Sequence, residues 1–151
     1  MCGIFGTTRG DLWRARLPAV LALLRHRGPD DEGTWQSQDG QVLLAHTRLA
    51  IIGLGTIGSQ PASSDDGRLT LSYNGELYNY RHLARELGLP GATSDTRVLC
   101  ELLRRRGAVG LNGVRCMYAA AVWDDATQTF SVCRGRWGVK PAYVLRHPTG
   151  G

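Results

Sequence analysis

Apolar and polar positions alternate along this chain with two different periods, and the changes of period mark its elements. Cys2 to Thr8 is short and apolar and reads as a strand. Leu17 to Arg25 has helical spacing, with Pro18 in the first turn, where proline is tolerated. Arg27 to Gly33 is punctuated by Gly28 and Pro29 and reads as a loop. Two strands follow, near Thr34 to Ser37 and Val42 to Ile52. Side chains alternate across the second, so His46, Arg48 and Ala50 share one face and Thr47, Leu49 and Ile51 the other. Gly53 to Asp66 reads as a long irregular loop, a type that is often functional in compact domains. Leu69 to Tyr73 alternates as a strand and runs into Asn74-Gly75-Glu76, and Tyr78 to Leu87 is an amphipathic helix ended by Gly88 and Pro90. Ser94 is placed to cap a second helix, Asp95 to Arg106, which Gly107 ends and whose buried stripe is Val98, Leu99, Leu102 and Leu103. Met117 to Trp123 and Thr129 to Cys133 form a hairpin, and Ala142 to Arg146 begins a further strand. Strands and helices arrive in separate groups, which predicts an α+β fold.

Composition narrows the function classes. With 151 residues the chain is expected to form one domain, 1–151, with a real core. No apolar run approaches the ~20 residues of a membrane span. The apolar segment Leu17 to Leu24 is short and lacks a small-residue cleavage site, so it is not a signal peptide and a cytoplasmic location is expected. The net charge of +5 is spread out, apart from Arg104-Arg105-Arg106. That run reads as the last turn of a helix, where cations complement the dipole. Without a basic face, a binding fold or an aromatic platform, nucleic-acid binding is not expected. The four cysteines contain no C-x-x-C pair, so zinc and thioredoxin-like sites lack their spacing and no metal is expected. Cys100 and Cys133 read as small buried hydrophobes, and without a secretory signal disulfides are not expected.

Cys2 is the candidate for chemistry. Removal of Met1 would leave a thiol and a free α-amine on one residue. An α-amine titrates near ~8, against roughly 10.4 for lysine, so it can serve as a base for its own nucleophile. The alternative is an incidental cysteine near the start of the chain. Asn74-Gly75 offers a side-chain amide and an unhindered backbone N–H for an oxyanion, or else a type I′ turn. A hairpin fits poorly where a strand leads into a helix. Arg48 is either an edge charge or a bidentate holder of a carboxylate. Asp95 either compensates a helix dipole or holds an ammonium group. Taken singly, each of these residues is explained at least as well by a structural role.

Taken together, the motifs resemble a known family. They are Met1-Cys2-Gly3-Ile4-Phe5-Gly6, Arg27-Gly28-Pro29-Asp30, His46-Thr47-Arg48-Leu49-Ala50-Ile51-Ile52, Gln60-Pro61, Asn74-Gly75-Glu76-Leu77-Tyr78-Asn79 and Ser94-Asp95-Thr96, followed by Met117-Tyr118-Ala119, Val122-Trp123-Asp124 and Gly138-Val139-Lys140-Pro141. In this order, and over essentially the whole chain, they resemble the N-terminal glutaminase domain of glutamine-hydrolysing asparagine synthetases, class II glutamine amidotransferases of the N-terminal-nucleophile hydrolase fold. The resemblance implies a four-layer αββα sandwich in which Cys2 attacks the glutamine side-chain amide and Asn74 and Gly75 stabilise the oxyanion. Arg48 would bind the α-carboxylate and Asp95 the α-amine, while Leu49, Ile51, Ile52 and Glu76 would line the pocket. No cofactor is implied in this domain. ATP and Mg would belong to a synthetase domain or subunit that receives the ammonia, with aspartate the default acceptor and other carboxylates the alternative.

The chain also departs from the family pattern. Gly53, Arg97, Cys116, Ala120 and Gly135 stand where the family usually has Asp, Glu, Gly, Phe and Asp. The family continues past this length, so the sandwich is expected to be truncated at its C-terminal side, with an apolar edge for a partner or a second copy to cover. The alternative to a glutaminase is a catalytically silent module that keeps the fold and binds a synthetase partner.

Overall fold

The computed structural model describes residues 1–50, 58–89 and 91–146. Its strands are β1 (Gly3–Thr7), β2 (Asp31–Gln36), β3 (Leu43–Arg48), β4 (Ala62–Ser63), β5 (Leu69–Leu77), β6 (Cys116–Asp124) and β7 (Thr129–Arg134). Its α-helices are α1 (Gly10–Trp13), α2 (Leu17–Leu24), α3 (Tyr80–Glu86) and α4 (Asp95–Arg106). The strands form two antiparallel sheets, one in the order β1-β3-β2 and one in the order β4-β5-β6-β7.

The four expected layers are present. Helix α2 packs on β1 and β3, β1 and β3 face β5, and α4 packs on β4 and β5 with α3 beside it. Strand β3 is buried along its whole length because it has a layer on each face. Thr47 Oγ1 donates to the Leu24 carbonyl of α2 (3.0 Å), whereas the neighbouring His46 Nδ1 meets Ser72 Oγ of β5 (3.0 Å). The predicted alternation of faces therefore separates a helix from a second sheet.

The main core lies between the second sheet and α4. Leu71, Tyr73 and Leu77 pack with the stripe Val98, Leu99 and Leu102, each at most 2% exposed. Full burial of one such side chain contributes about 1.5–3 kcal/mol.

Several expected boundaries shift, each for a physical reason. The loop over Arg27 to Gly33 ends early, because Asp31 and Glu32 already pair with Arg48 and Thr47 as the first rungs of β2. The Gly53 to Asp66 loop contains β4, two residues that pair with Thr70 and Leu71. Asn74-Gly75 is neither a turn nor a strand end: both residues sit inside β5, opposite Ala119 and Tyr118. The ladder to β6 overrides the local turn preference. Ser94 occupies the N-cap of α4 but makes no side-chain capping bond. Ala142 to Arg146 is not a strand, as it finds no neighbour to pair with among the described residues. Cys116 starts β6 opposite Leu77 without breaking the ladder. At Gly135 an added Cβ would sit 3.5 Å from Tyr118 N, an ordinary contact. No described helix is long and apolar enough to cross a membrane.

Candidate active site

Cys2 immediately precedes β1, and the pairing of Gly3 with Thr47 carries it alongside the end of β3. Its Sγ accepts a hydrogen bond from Leu49 N–H (3.4 Å), and Arg27 Nε donates to its carbonyl (3.1 Å). The thiol opens on a cavity lined also by Arg48, Leu49, Asn74, Gly75, Glu76 and Asp95. Every candidate residue among those described is therefore in one place. Ile51 and Ile52 lie outside the described residues.

The oxyanion candidate follows from how β5 is paired. In an antiparallel ladder successive residues point their N–H groups to opposite sides. Tyr78 N–H bonds to Arg115 O and Asp125 N–H to Arg68 O, so the even positions of β5 face β6. The odd positions face the β4 side, where each N–H needs another acceptor. Leu69 finds Ser64 Oγ (3.0 Å), and Leu71 pairs with Ala62 of β4. Beyond β4, Tyr73 finds Gln60 Oε1 (2.6 Å), and Leu77 finds Asp95 Oδ2 (3.2 Å). Gly75 lies between the last two, with its N–H turned to the cavity it lines. Its neighbour Asn74 is 5% exposed, and its side-chain amide makes no hydrogen bond among the described residues. Two adjacent donors thus face the space beside Cys2. The glycine is also sterically required, because a Cβ there would lie 2.3 Å from Met117 O and 2.7 Å from Tyr118 Cβ.

Gln60 prolongs the sheet with its side chain. It accepts from Tyr73 N–H, and its Nε2 donates to Tyr73 O (3.0 Å), so the amide pairs as a strand residue would. Asp95 opens α4, is 7% exposed and accepts through Oδ2 from both Tyr73 O–H (3.2 Å) and Leu77 N–H (3.2 Å). Burial, then the Asp95 charge, holds the Tyr73 phenol far above its usual range, so it remains a donor. Asp95 Oδ1 takes no hydrogen bond among the described residues, which leaves one carboxylate oxygen for a cation.

Arg48 is 5% exposed, and Asp30 N–H bonds to its carbonyl (3.0 Å). Gly28 lies so close that a Cβ would stand 2.5 Å from Arg48 C and from Thr47 O. The Arg-Gly-Pro-Asp loop is therefore seated against the backbone that presents Arg48. His46, two residues earlier, is fully buried. Its Nε2 has no partner among the described residues, while desolvation, reinforced by the Arg48 charge, lowers its pKa to about 4. It is a neutral link between the sheets. Desolvation also pushes the Cys100 thiol up to about 12 and the Cys116 thiol to about 11, which keeps both in the unreactive thiol form.

Gln60, Tyr73, Thr96, Met117 and Lys140 also line the cavity without having been assigned a role from sequence. Gln60, Thr96, Met117 and Lys140 fall within quoted motifs, the available signal, but their contacts depend on tertiary pairing. Lys140 is 7% exposed, and its Nζ lies 3.2 Å from Met1 Sδ. Among the described residues no group of three or more His, Cys, Asp or Glu side chains is placed to hold a metal ion.

Comparison with known proteins points the same way. The chain is 36% identical to the amidase chry2 of Gibberella zeae over 135 residues, which cover 87% of this chain and 20% of that protein. It is 32% identical to a probable glutamine-hydrolysing asparagine synthetase of Dictyostelium discoideum, covering 99% of this chain and 28% of the relative. It is also 32% identical to asparagine synthetase B of Escherichia coli, covering 95% and 27%. It thus spans between a fifth and three tenths of the length of these relatives. Among solved structures, the glutamine phosphoribosylpyrophosphate amidotransferase of Bacillus subtilis superposes with a TM-score of 0.57 at 23% identity, covering 82% of this chain and 35% of that one. That likeness concerns the fold, and it agrees with the N-terminal-nucleophile hydrolase architecture expected from the motifs. The glutamine amidotransferase domain family matches residues 1–151, and the chain belongs to it.

Proposed function

We propose that this domain hydrolyses glutamine to glutamate and ammonia through Cys2, after Met1 has been removed. The observation that carries the reading is the gathering of Cys2, the Asn74–Gly75 donor pair, Arg48 and Asp95 around one cavity. Arg48 pairs with the α-carboxylate of glutamine, and Asp95 Oδ1 accepts from its α-ammonium. Leu49 and Glu76 complete the described pocket wall, a role the family resemblance also implies for Ile51 and Ile52. In this reading the side-chain amide carbon meets Cys2 Sγ.

The α-amine of Cys2 takes the thiol proton, directly or through a water, as Sγ attacks that carbon. The carbonyl oxygen becomes an oxyanion held by Asn74 Nδ2 and Gly75 N–H, on a backbone fixed before the reaction by the β5–β6 ladder. The amine returns the proton to the departing nitrogen, the C–N bond breaks and ammonia leaves a thioester. Water then attacks the thioester, the C–S bond breaks, and glutamate and the thiol are regenerated. The relatives named as glutamine-hydrolysing asparagine synthetases suggest the destination. The ammonia feeds an ATP-dependent amidation on a synthetase domain or subunit, with aspartate or another carboxylate as acceptor.

The test is ammonia release from glutamine by the Met1-free protein beside Cys2→Ala. Release by the parent and a loss of at least about 10³-fold in the variant are expected. Equal release from both would end the proposal. A second reading is favoured by one observation, the Met1 side chain in the cavity against Lys140. If Met1 is retained in the mature protein, the amine of Cys2 is blocked and the domain is a silent module that binds a synthetase partner. Mass spectrometry of the N-terminus separates the two.

A further inference from the structure

Lys140 carries a charge that the proposed chemistry leaves unused. Its side chain is 93% buried, and among the described residues it makes no ion pair. Among the described residues its one hydrogen-bond partner is the thioether of Met1, at 3.2 Å. Sulfur is a weak acceptor, and an ammonium withdrawn from water normally takes a carboxylate or several oxygens. The partner, moreover, belongs to the residue that must leave before Cys2 becomes an N-terminus. The contact therefore cannot be what the buried charge serves in the mature protein.

We propose that Lys140 tunes the base: once Met1 is gone, its ammonium stands against the freed α-amine of Cys2 and holds that amine in the neutral, proton-accepting form. The inference rests on the reading of Cys2 as a nucleophile served by its own amine. An unperturbed α-amine titrates at about 7.7–8.0, so near neutrality most of it is protonated and idle as a base. A neighbouring like charge disfavours the protonated form. The other charged or titratable groups at the cavity are the thiol of Cys2 itself, Arg48 from β3, Tyr73 and Glu76 from β5, and Asp95 from α4. Arg27 is bonded to the Cys2 carbonyl. The two carboxylates act against Lys140, but Asp95 already receives two donors, from Tyr73 and Leu77. Lys140 touches none of the reacting bonds and is a positioning residue in the electrostatic sense.

The experiment compares Met1-free parent protein, Lys140→Met, which keeps the length but not the charge, and Lys140→Arg, which keeps both. The first readout is the titration of the Cys2 α-amine, from the pH dependence of its acylation by acetic anhydride followed by mass spectrometry. It does not depend on turnover. Lys140→Met should move the midpoint upward by about 1 pH unit, and Lys140→Arg should restore it. The second readout is the acid limb of kcat/KM for glutamine, which should move with the amine. An amine midpoint unchanged in Lys140→Met overturns the inference, and so does a loss of activity uniform across pH, which marks a substrate contact or a structural role. A midpoint that moves in a protein releasing no ammonia supports the charge placement while removing the glutaminase reading. Should Lys140→Met fail to fold, Lys140→Gln takes its place.

Discussion

The two sides of the cavity are built differently. Asn74 and Gly75 lie within β5, an interior strand of the four-stranded sheet, paired through its length to β6 and packed on α4. Cys2 lies one residue before β1, an edge strand of the other sheet, half-buried and tied down by Leu49 and Arg27. The difference suits what the proposed chemistry asks of each side. Donors for an oxyanion are useful when they need no rearrangement as charge develops, so they belong on the most constrained backbone available. A nucleophile that doubles as a chain terminus must remain reachable, first for removal of the residue before it and then for substrate.

That contrast can be tested on both sides. After the loss expected for Cys2→Ala, the next largest effect is expected at the donor side. Asn74→Ala should lower kcat for glutamine by about 10²–10³-fold with a much smaller change in KM, because the amide is used chiefly as charge develops. A fall confined to KM would place Asn74 in ground-state binding instead.

Between the sheets, His46 should make the fold acid-sensitive. Its folded pKa, about 4, lies below the ordinary 6.5. The unfolded chain therefore binds the proton more tightly, and stability is lost as pH falls through the window from 6.5 to 4. The full linkage is about 3 kcal/mol for one group shifted this far. Urea unfolding of the parent should show that slope and His46→Leu should not. A parent stability flat across the window would show that His46 is not the buried neutral base described.

A smaller but direct comparison sets Gly75→Ala against Cys2→Ala in thermal unfolding. The new Cβ at 75 meets Met117 O at 2.3 Å, and the resulting strain should cost about 1–3 kcal/mol. Cys2→Ala should change stability by less than about 1 kcal/mol while removing activity. Equal losses of stability would mean that the two sides are equally integrated into the fold.

The sequence was most informative where burial has a strong period. The α4 stripe Val98, Leu99, Leu102 and Leu103 is buried as its spacing predicts, and the alternation at His46 and Thr47 separates the two neighbouring layers. It was least informative where one segment's conformation depends on another. Asn74-Gly75 has a strong local turn preference, and only the nine-rung ladder to β6 makes it strand. Ala142 to Arg146 shows the reverse, an alternating segment with no described strand to receive it. The motifs identified the residues that meet at the cavity but not the supports between them. Gln60 acts by imitating a backbone, a role that no local pattern announces, and Tyr73 supports Asp95 through a contact spanning 22 residues of sequence.

Strand β4 is only two residues long, and this brevity has a consequence for design. Had it continued as a full strand alongside β5, its carbonyls would have met the odd N–H groups one after another, Gly75 included. The short strand, followed by single acceptors from Gln60 and Asp95, leaves one rung open. A shape-preserving way to silence the domain would therefore be to supply that rung. A peptide grafted or bound as the missing continuation of β4 would offer Gly75 N–H a carbonyl in place of the proposed oxyanion.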